Sequence, residues 1–213
     1  MKKNVIFDFD GVILNSHKVK TNAFYSLFRI YGRKIGERSK NFHLKNIGKN
    51  RYYKFKFIIK NYLKLKVSPI IINDLDKKFD FYIFKKINYL KITKNLKKFL
   101  SLKNKYNFYI STGTPKHKMI KILKKKKILN NFKAVYGSPS KKFQHLKIIK
   151  KNKKPSIFIG DSVEDYNVAK KAKINFLLKN NSENKLFKEK NKNLIKINFF
   201  KNLDKIISNI SNE

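Results

Sequence analysis

The stretch Asn4-Val5-Ile6-Phe7-Asp8-Phe9-Asp10-Gly11-Val12 decides how this chain is read. Its apolar run has the character of a buried strand, and it ends in two carboxylates separated by one residue. A second segment repeats the arrangement: Ser156-Ile157-Phe158-Ile159 runs into Gly160-Asp161-Ser162-Val163-Glu164-Asp165. Parallel strands that end in carboxylates put those groups where an open α/β sheet binds its ligands.

Acids are scarce here, 13 Asp and Glu against 53 Lys and Arg, yet Asp8, Asp10, Asp161, Glu164 and Asp165 all fall within these two short stretches. Carboxylates held about 4 Å apart repel by several kcal/mol at an effective dielectric near 20, so such a site needs a cation or a shared proton. A hard, oxygen-seeking ion such as Mg²⁺ answers that need.

A chain of 213 residues can bury one full α/β core with an insertion. With no cysteine it has no disulfide, thiolate nucleophile or Cys-ligated zinc, and a reducing, cytoplasmic setting is expected. The basic start runs into Asp8 and Asp10 without the apolar stretch of a signal peptide, and no apolar run reaches membrane-spanning length. The net charge of +40 invites a nucleic-acid reading. Only Arg29, Arg33, Arg38 and Arg51 are arginines, however, and lysine occurs in every region rather than on one face. A base-reading module is expected to cluster its charge and to use arginine for bidentate contacts. The charge is therefore read as a composition bias, and a nucleic-acid partner is not expected.

Val19, Ala23, Leu27 and Ile30 recur at helical spacing from Ser16 to about Tyr31, with Gly32 as a stop. A second helical stretch surrounds Phe55, Ile58, Ile59, Tyr62 and Leu63. Ser68-Pro69 then sets a capping hydroxyl before a proline at the first helical position, opening a helix through Ile72, Leu75, Phe79 and Ile83. Beyond about residue 90 helices alternate with strands at 107–110, 134–136, 157–159 and 176–178, and a last helix is expected near Leu203 to Ile210. That alternation predicts an α/β fold with a mainly parallel, Rossmann-like sheet. Residues 1–15 and 91–213 would form its core, with 16–90 a helical cap inserted after the first strand.

Asp8-Phe9-Asp10-Gly11-Val12, Ile110-Ser111-Thr112-Gly113-Thr114, a lysine after Gly137-Ser138-Pro139, and Gly160-Asp161-Ser162 followed by Asp165 stand in this order at strand ends. Together they resemble the four motifs of the haloacid dehalogenase superfamily, in particular its helical-capped phosphoglycolate phosphatase and β-phosphoglucomutase subgroup. The resemblance implies a Mg²⁺-dependent phosphatase acting on a small phosphorylated metabolite. Asp8 would be the nucleophile that takes the phosphoryl group, and Asp10 the acid and base that also turns its main-chain carbonyl to the metal. Ser111, or the adjacent Thr112, would bind the phosphate. Lys142, with Lys141 behind it, would neutralise the transferring group. Asp161 would ligate the metal opposite Asp8, and Asp165, with Glu164 ranked below it, would hold a metal-bound water or the lysine.

Phe42-His43, Gly48, Arg51, Tyr53, Lys54 and Phe55 resemble a cap stretch of the same subgroup, which implies that Arg51 and Lys54 hold an anionic part of the substrate. Asn15 stands where the subgroup often has an aspartate. His17, His43, His117 and His145 lack zinc-ligand spacing and read as surface or partly buried histidines. Two rival functions remain open: a β-phosphoglucomutase-like phosphomutase, in which the same two acids return the phosphoryl group to sugar, and a non-enzymatic polyanion binder.

Overall fold

The computed structural model describes residues 1–210, so the last three residues of the expected core lie outside the described residues. The chain divides into two units, one made of Met1–Asn15 and the chain from Lys91 onward, the other of Ser16–Leu90. No helix among the described residues is long and apolar enough to cross a membrane.

The first unit is an α/β fold. Its strands are β1 (Lys3–Phe7), β2 (Tyr106–Pro115), β3 (Ala134–Ser138), β4 (Ser156–Gly160), β5 (Asn175–Lys179) and the two-residue β6 (Lys196–Ile197). They pair in parallel in the order β3-β2-β1-β4-β5-β6, so the chain reverses its direction of growth at β1. An open sheet with this order has its ligand crevice at the carboxyl ends of the strands flanking the reversal.

Alternation along β1 sends successive side chains to opposite faces of the sheet. Phe7 enters an aromatic layer, its ring 5.9 Å from Phe108 and 5.8 Å from Phe200. Ile6 packs on the other face with Tyr109, Leu146, Ile149, Phe158 and Ala169. The pairings Ile6↔Tyr109 and Ile6↔Phe158 fix the register of both neighbours of β1. Asp8 shares the parity of Ile6, and Ser111 that of Tyr109, so both belong to the face occupied by Leu146 and Ile149.

The helices of this unit, numbered by their place in the whole chain, are α5 (Leu96–Leu100), α6 (Lys116–Lys125), α7 (Lys142–Lys150), α8 (Val163–Ala172), α9 (Lys185–Lys190) and α10 (Leu203–Ser208). The second unit supplies α1 (His17–Arg29), α2 (Arg33–Lys45), α3 (Arg51–Asn61) and α4 (Pro69–Ile87). Its apolar centre holds Phe24, Leu27, Phe28, Phe55, Ile58, Ile59, Leu75, Phe79 and Ile83. Ser68 caps α4 as its sequence implies, its Oγ accepting from Ile71 N at 3.2 Å. Gly32 stops α1 and also starts α2, a helix whose buried residues are Gly36, Ser39 and His43 and which carries no apolar stripe to announce it.

Where the chain leaves β1 it turns sharply. Gly11, at φ +77°, allows the reversal, and Gly11 N donates to Leu14 O at 2.7 Å. Leu14 then bridges antiparallel to Ile92. Thr93 closes the junction, donating from N to Ile13 O at 2.9 Å and from Oγ1 to Val12 O at 2.7 Å.

Candidate active site

Asp8, Asp161 and Asp165 are buried, and each offers a carboxylate oxygen within 4.8 Å of the other two. Asp8 follows β1, where its N–H donates to Ile159 O at 2.9 Å. Asp161 follows β4, and Asp165 sits in the first turn of α8. The two sequence clusters, more than 150 positions apart, therefore meet across the reversal point of the sheet. Asp10 stands outside this triangle of side chains and is half-buried.

Lys142, the first residue of α7, enters the triangle from the face that Asp8 shares. Its Nζ lies 3.1 Å from Asp8 Oδ1 and 2.7 Å from Asp165 Oδ1. Burial alone would lower the ammonium, but the carboxylates of Asp165 and Asp8 outweigh it and hold Lys142 above its ordinary range. Asp8 goes the other way: burial raises its carboxyl, Lys142 opposes the shift, and the charges of Asp165, Asp10 and Asp161 add to it, for a net rise well above the usual range. With all three acids ionised, three carboxylates and one ammonium leave an excess of two negative charges among hard oxygen donors, which is the form a bound cation would favour. The residues present fit a divalent ion such as Mg²⁺ in both charge and donor type.

Asp165 is fully engaged. Oδ1 meets Lys142, while Oδ2 accepts from Ser162 Oγ at 2.6 Å, Ser162 N at 3.2 Å and Asp161 N at 3.3 Å. This fastening depends on Gly160, where an added Cβ would stand 2.4 Å from Asp165 Cβ and 2.7 Å from its Cγ. Asp161 is held from a direction the sequence did not reveal. Asn181 donates from Nδ2 to Asp161 Oδ2, and Asn184 donates from Nδ2 to Asp161 O at 2.9 Å and Lys179 O at 2.8 Å. Both asparagines lie in a Lys- and Asn-rich tail where residue type carries no signal.

Ser111 and Thr112 are both fully buried. Ser111 Oγ shares a 3.0 Å hydrogen bond with His145 Nδ1, whereas Thr112 Oγ1 accepts from Thr114 N at 3.2 Å and keeps its own proton to donate. His145 is 1 % exposed, more deeply buried than its sequence context implied. Lys141 precedes α7, and its backbone N donates to Gln144 Oε1 at 2.9 Å.

In the helical unit, Arg51 Nη1 lies 2.6 Å from Asp80 Oδ1 and 3.2 Å from Asp76 Oδ1. Lys54 Nζ lies 3.1 Å from His43 Nδ1, and the ring of His43 stacks on Phe24 at 4.5 Å. Arg51 is thus paired with acids one turn apart on α4, and Lys54 with a histidine of α2.

Burial, reinforced by Lys142, pulls the His145 ring down to about 4, and burial with Lys54, Lys20 and His17 drives His43 well below its usual range. Each ring stays neutral in the folded chain while the same ring in the unfolded chain protonates from about pH 6.5 downward. The unfolded state then binds more protons, so these histidines lower stability as pH falls from about 6.5, for His145 until about 4. Urea melts at pH 7 and pH 5 are expected to show a larger acid loss for the parent than for His145→Phe. Equal losses would contradict a buried neutral ring.

A family model described as haloacid dehalogenase-like hydrolase matches residues 5–179, which include Asp8, Asp10, Ser111, Thr112, Lys142, Asp161 and Asp165 but stop short of Asn181 and Asn184. The chain belongs to that family. No curated protein matches the sequence. Among solved haloacid dehalogenase-like and related folds, a β-phosphoglucomutase from Clostridium difficile is 18% identical, with TM-score 0.74 over 98% of this chain and 96% of that one. A predicted phosphoglycolate phosphatase from Haemophilus somnus is 19% identical, with TM-score 0.73 over 97% of this chain and 98% of that one. A predicted phosphatase from Clostridium acetobutylicum is 18% identical, with TM-score 0.73 over 99% and 100%. At these identities the likeness is one of fold, and it extends over both units of the chain.

Proposed function

We propose that this chain is a Mg²⁺-dependent phosphatase of the haloacid dehalogenase family that hydrolyses a small phosphorylated metabolite through an aspartyl-phosphate. The observation that carries the reading is Asp8 at the end of β1, 3.1 Å from the buried Lys142 ammonium and grouped with Asp161 and Asp165. In the first step Asp8 attacks phosphorus in line; its oxygen bonds to phosphorus as the ester P–O bond breaks, and Asp10 gives its proton to the leaving oxygen. In the second, Asp10 takes a proton from water, which attacks phosphorus and releases phosphate from Asp8.

Lys142 offsets the charge on the phosphoryl oxygens in both steps. Thr112 is the phosphate donor we assign at the end of β2, since the Ser111 hydroxyl is engaged by His145. Asp8, Asp161 and the Asp10 carbonyl would hold Mg²⁺, which supplies positive charge to the phosphoryl oxygens when bound. Asp165 serves the site by holding Lys142 and the Asp161 turn. The helical unit would select the substrate, with Lys54 assigned to an anionic group on it and Arg51 to fastening α3 to α4. The cysteine-free composition supports a cytoplasmic setting.

Likeness to the Clostridium difficile β-phosphoglucomutase favours a second reading, transfer of the phosphoryl group between two sugar positions. One experiment separates them: release of inorganic phosphate from p-nitrophenyl phosphate and a phosphorylated-metabolite panel, with Mg²⁺ and with EDTA, beside an assay for isomerisation of β-glucose 1-phosphate. Mg²⁺-dependent release without isomerisation is expected. Isomerisation with negligible release would replace hydrolysis by the mutase reading, and inactivity on every substrate would remove both.

A further inference from the structure

We propose that His145 is a positioning residue for this reaction, tying the first turn of α7 to the end of β2 and thereby fixing where Lys142 stands beside Asp8. The inference rests on the phosphatase reading for its kinetic consequences and on geometry for its origin. Lys142 must hold one ammonium against two carboxylates at the end of a long, rotatable side chain, and it follows an exposed stretch at Pro139–Lys141. A charge placed for a transition state is useful only if its backbone is held, because misplacement of about 1 Å costs on the order of a hundredfold.

His145 supplies that hold one helical turn after Lys142. Its Nδ1 bonds to Ser111 of β2 at 3.0 Å, and its ring stacks on Tyr136 of β3, with centroids 5.5 Å apart and planes at 27°. One ring therefore fastens α7 to two strands. Ser111 sits on the strand beside Asp8 and shares its face, so the fastening and the charge contact are set on the same neighbouring strands. Both partners are buried, and an apolar side chain at 145 would leave the Ser111 hydroxyl without this partner. Neutrality of the ring keeps Lys142 as the cation of this helix end, and the depressed protonation of His145 agrees with that arrangement.

The test compares His145→Phe, His145→Asn and Ser111→Ala with the parent on p-nitrophenyl phosphate. Asn places an amide oxygen near the position of Nδ1 and can restore the bond to Ser111; Phe keeps only the ring. His145→Phe is expected to lower kcat about tenfold, with KM changed less than about twofold, because Lys142 acts on charge that develops during transfer. His145→Asn should recover kcat to within about threefold of the parent. Ser111→Ala should reproduce the loss, and the double variant Ser111→Ala/His145→Phe should lose no more than either alone. Equal losses for Phe and Asn, additive losses in the double variant, or lower melting temperatures with kcat intact would each overturn the proposal. If His145→Phe does not fold, His145→Asn and Ser111→Ala decide it by the same criteria. Ring ¹⁵N shifts of His145 give a readout that needs no turnover: one fixed tautomer in the parent, averaged in Ser111→Ala. A parent without turnover would sink the phosphatase reading, whereas averaged tautomers in the parent would sink this one.

Discussion

Replacing Asp8 by Asn is expected to abolish turnover and, in metal-free buffer at neutral pH, to raise the melting temperature. On the proposed mechanism the first effect follows from losing the nucleophile; removal of such a group costs on the order of 10⁴-fold or more. The second follows from the site's charge. Asp8 has a raised carboxyl because burial and the neighbouring acids disfavour its ionised form more than Lys142 favours it. A raised folded value means that the carboxylate contributes stability in acid and forfeits it as pH climbs through that value, so at neutral pH the charged form is a net cost. Asparagine removes the charge while keeping the shape. Differential scanning in EDTA and in Mg²⁺ checks both parts: the variant should melt higher than the parent in EDTA and gain less from Mg²⁺. A variant that is less stable in EDTA, or that retains activity, would mean that Asp8 is an ordinary strand-end carboxylate.

Lys142→Met is the second large effect. Methionine fills most of the volume but leaves Asp8 and Asp165 buried without the ammonium that lies 3.1 and 2.7 Å from them. Breaking a buried pair by removing one partner costs roughly 3–5 kcal/mol, a large share of the stability of a chain this size. Turnover should fall with it. The sign of the pH dependence separates charge from packing: without Lys142 to oppose the shift, the buried Asp8 carboxyl rises further, so the deficit relative to the parent should shrink as pH drops from 7 to 5. A deficit that is flat across this range would assign the loss to packing and leave the ion pair with little energetic weight.

The sheet was legible because most of its strands show as short continuous apolar runs, although β2 continues past its apolar run through Ser111-Thr112-Gly113-Thr114-Pro115. The helices with apolar stripes were equally readable, and Ser68-Pro69 announced α4 to the residue. Helix α2 was not, since the side chains it buries are Ser39 and His43 beside Gly36, and periodicity has nothing to detect there. Strand β6, two residues long, is too short to carry a pattern.

For the site, acids stand out because they are rare in this chain, whereas lysines and asparagines do not. Lys142 was found by its place after Gly137-Ser138-Pro139, and Asn181 and Asn184 were missed because nothing in the tail distinguishes them. The engagement of Arg51 left a trace that went unread, two acids four positions apart in Asp76 and Asp80. The Ser111 to His145 bond had only the interval between Lys142 and His145, one helical turn, to point to it.

The bridge between Leu14 and Ile92, closed by Thr93 on Val12 and Ile13, has an evolutionary reach. The polypeptide departs for residues 16–90 and comes back through two adjoining segments, separated by about the 5 Å of a paired strand. An excursion whose two ends are already clasped together can be lengthened, shortened or exchanged at small entropic expense, without asking the sheet to change. The detour can thus be traded for another while Asp8, Asp161 and Asp165 stay where they are.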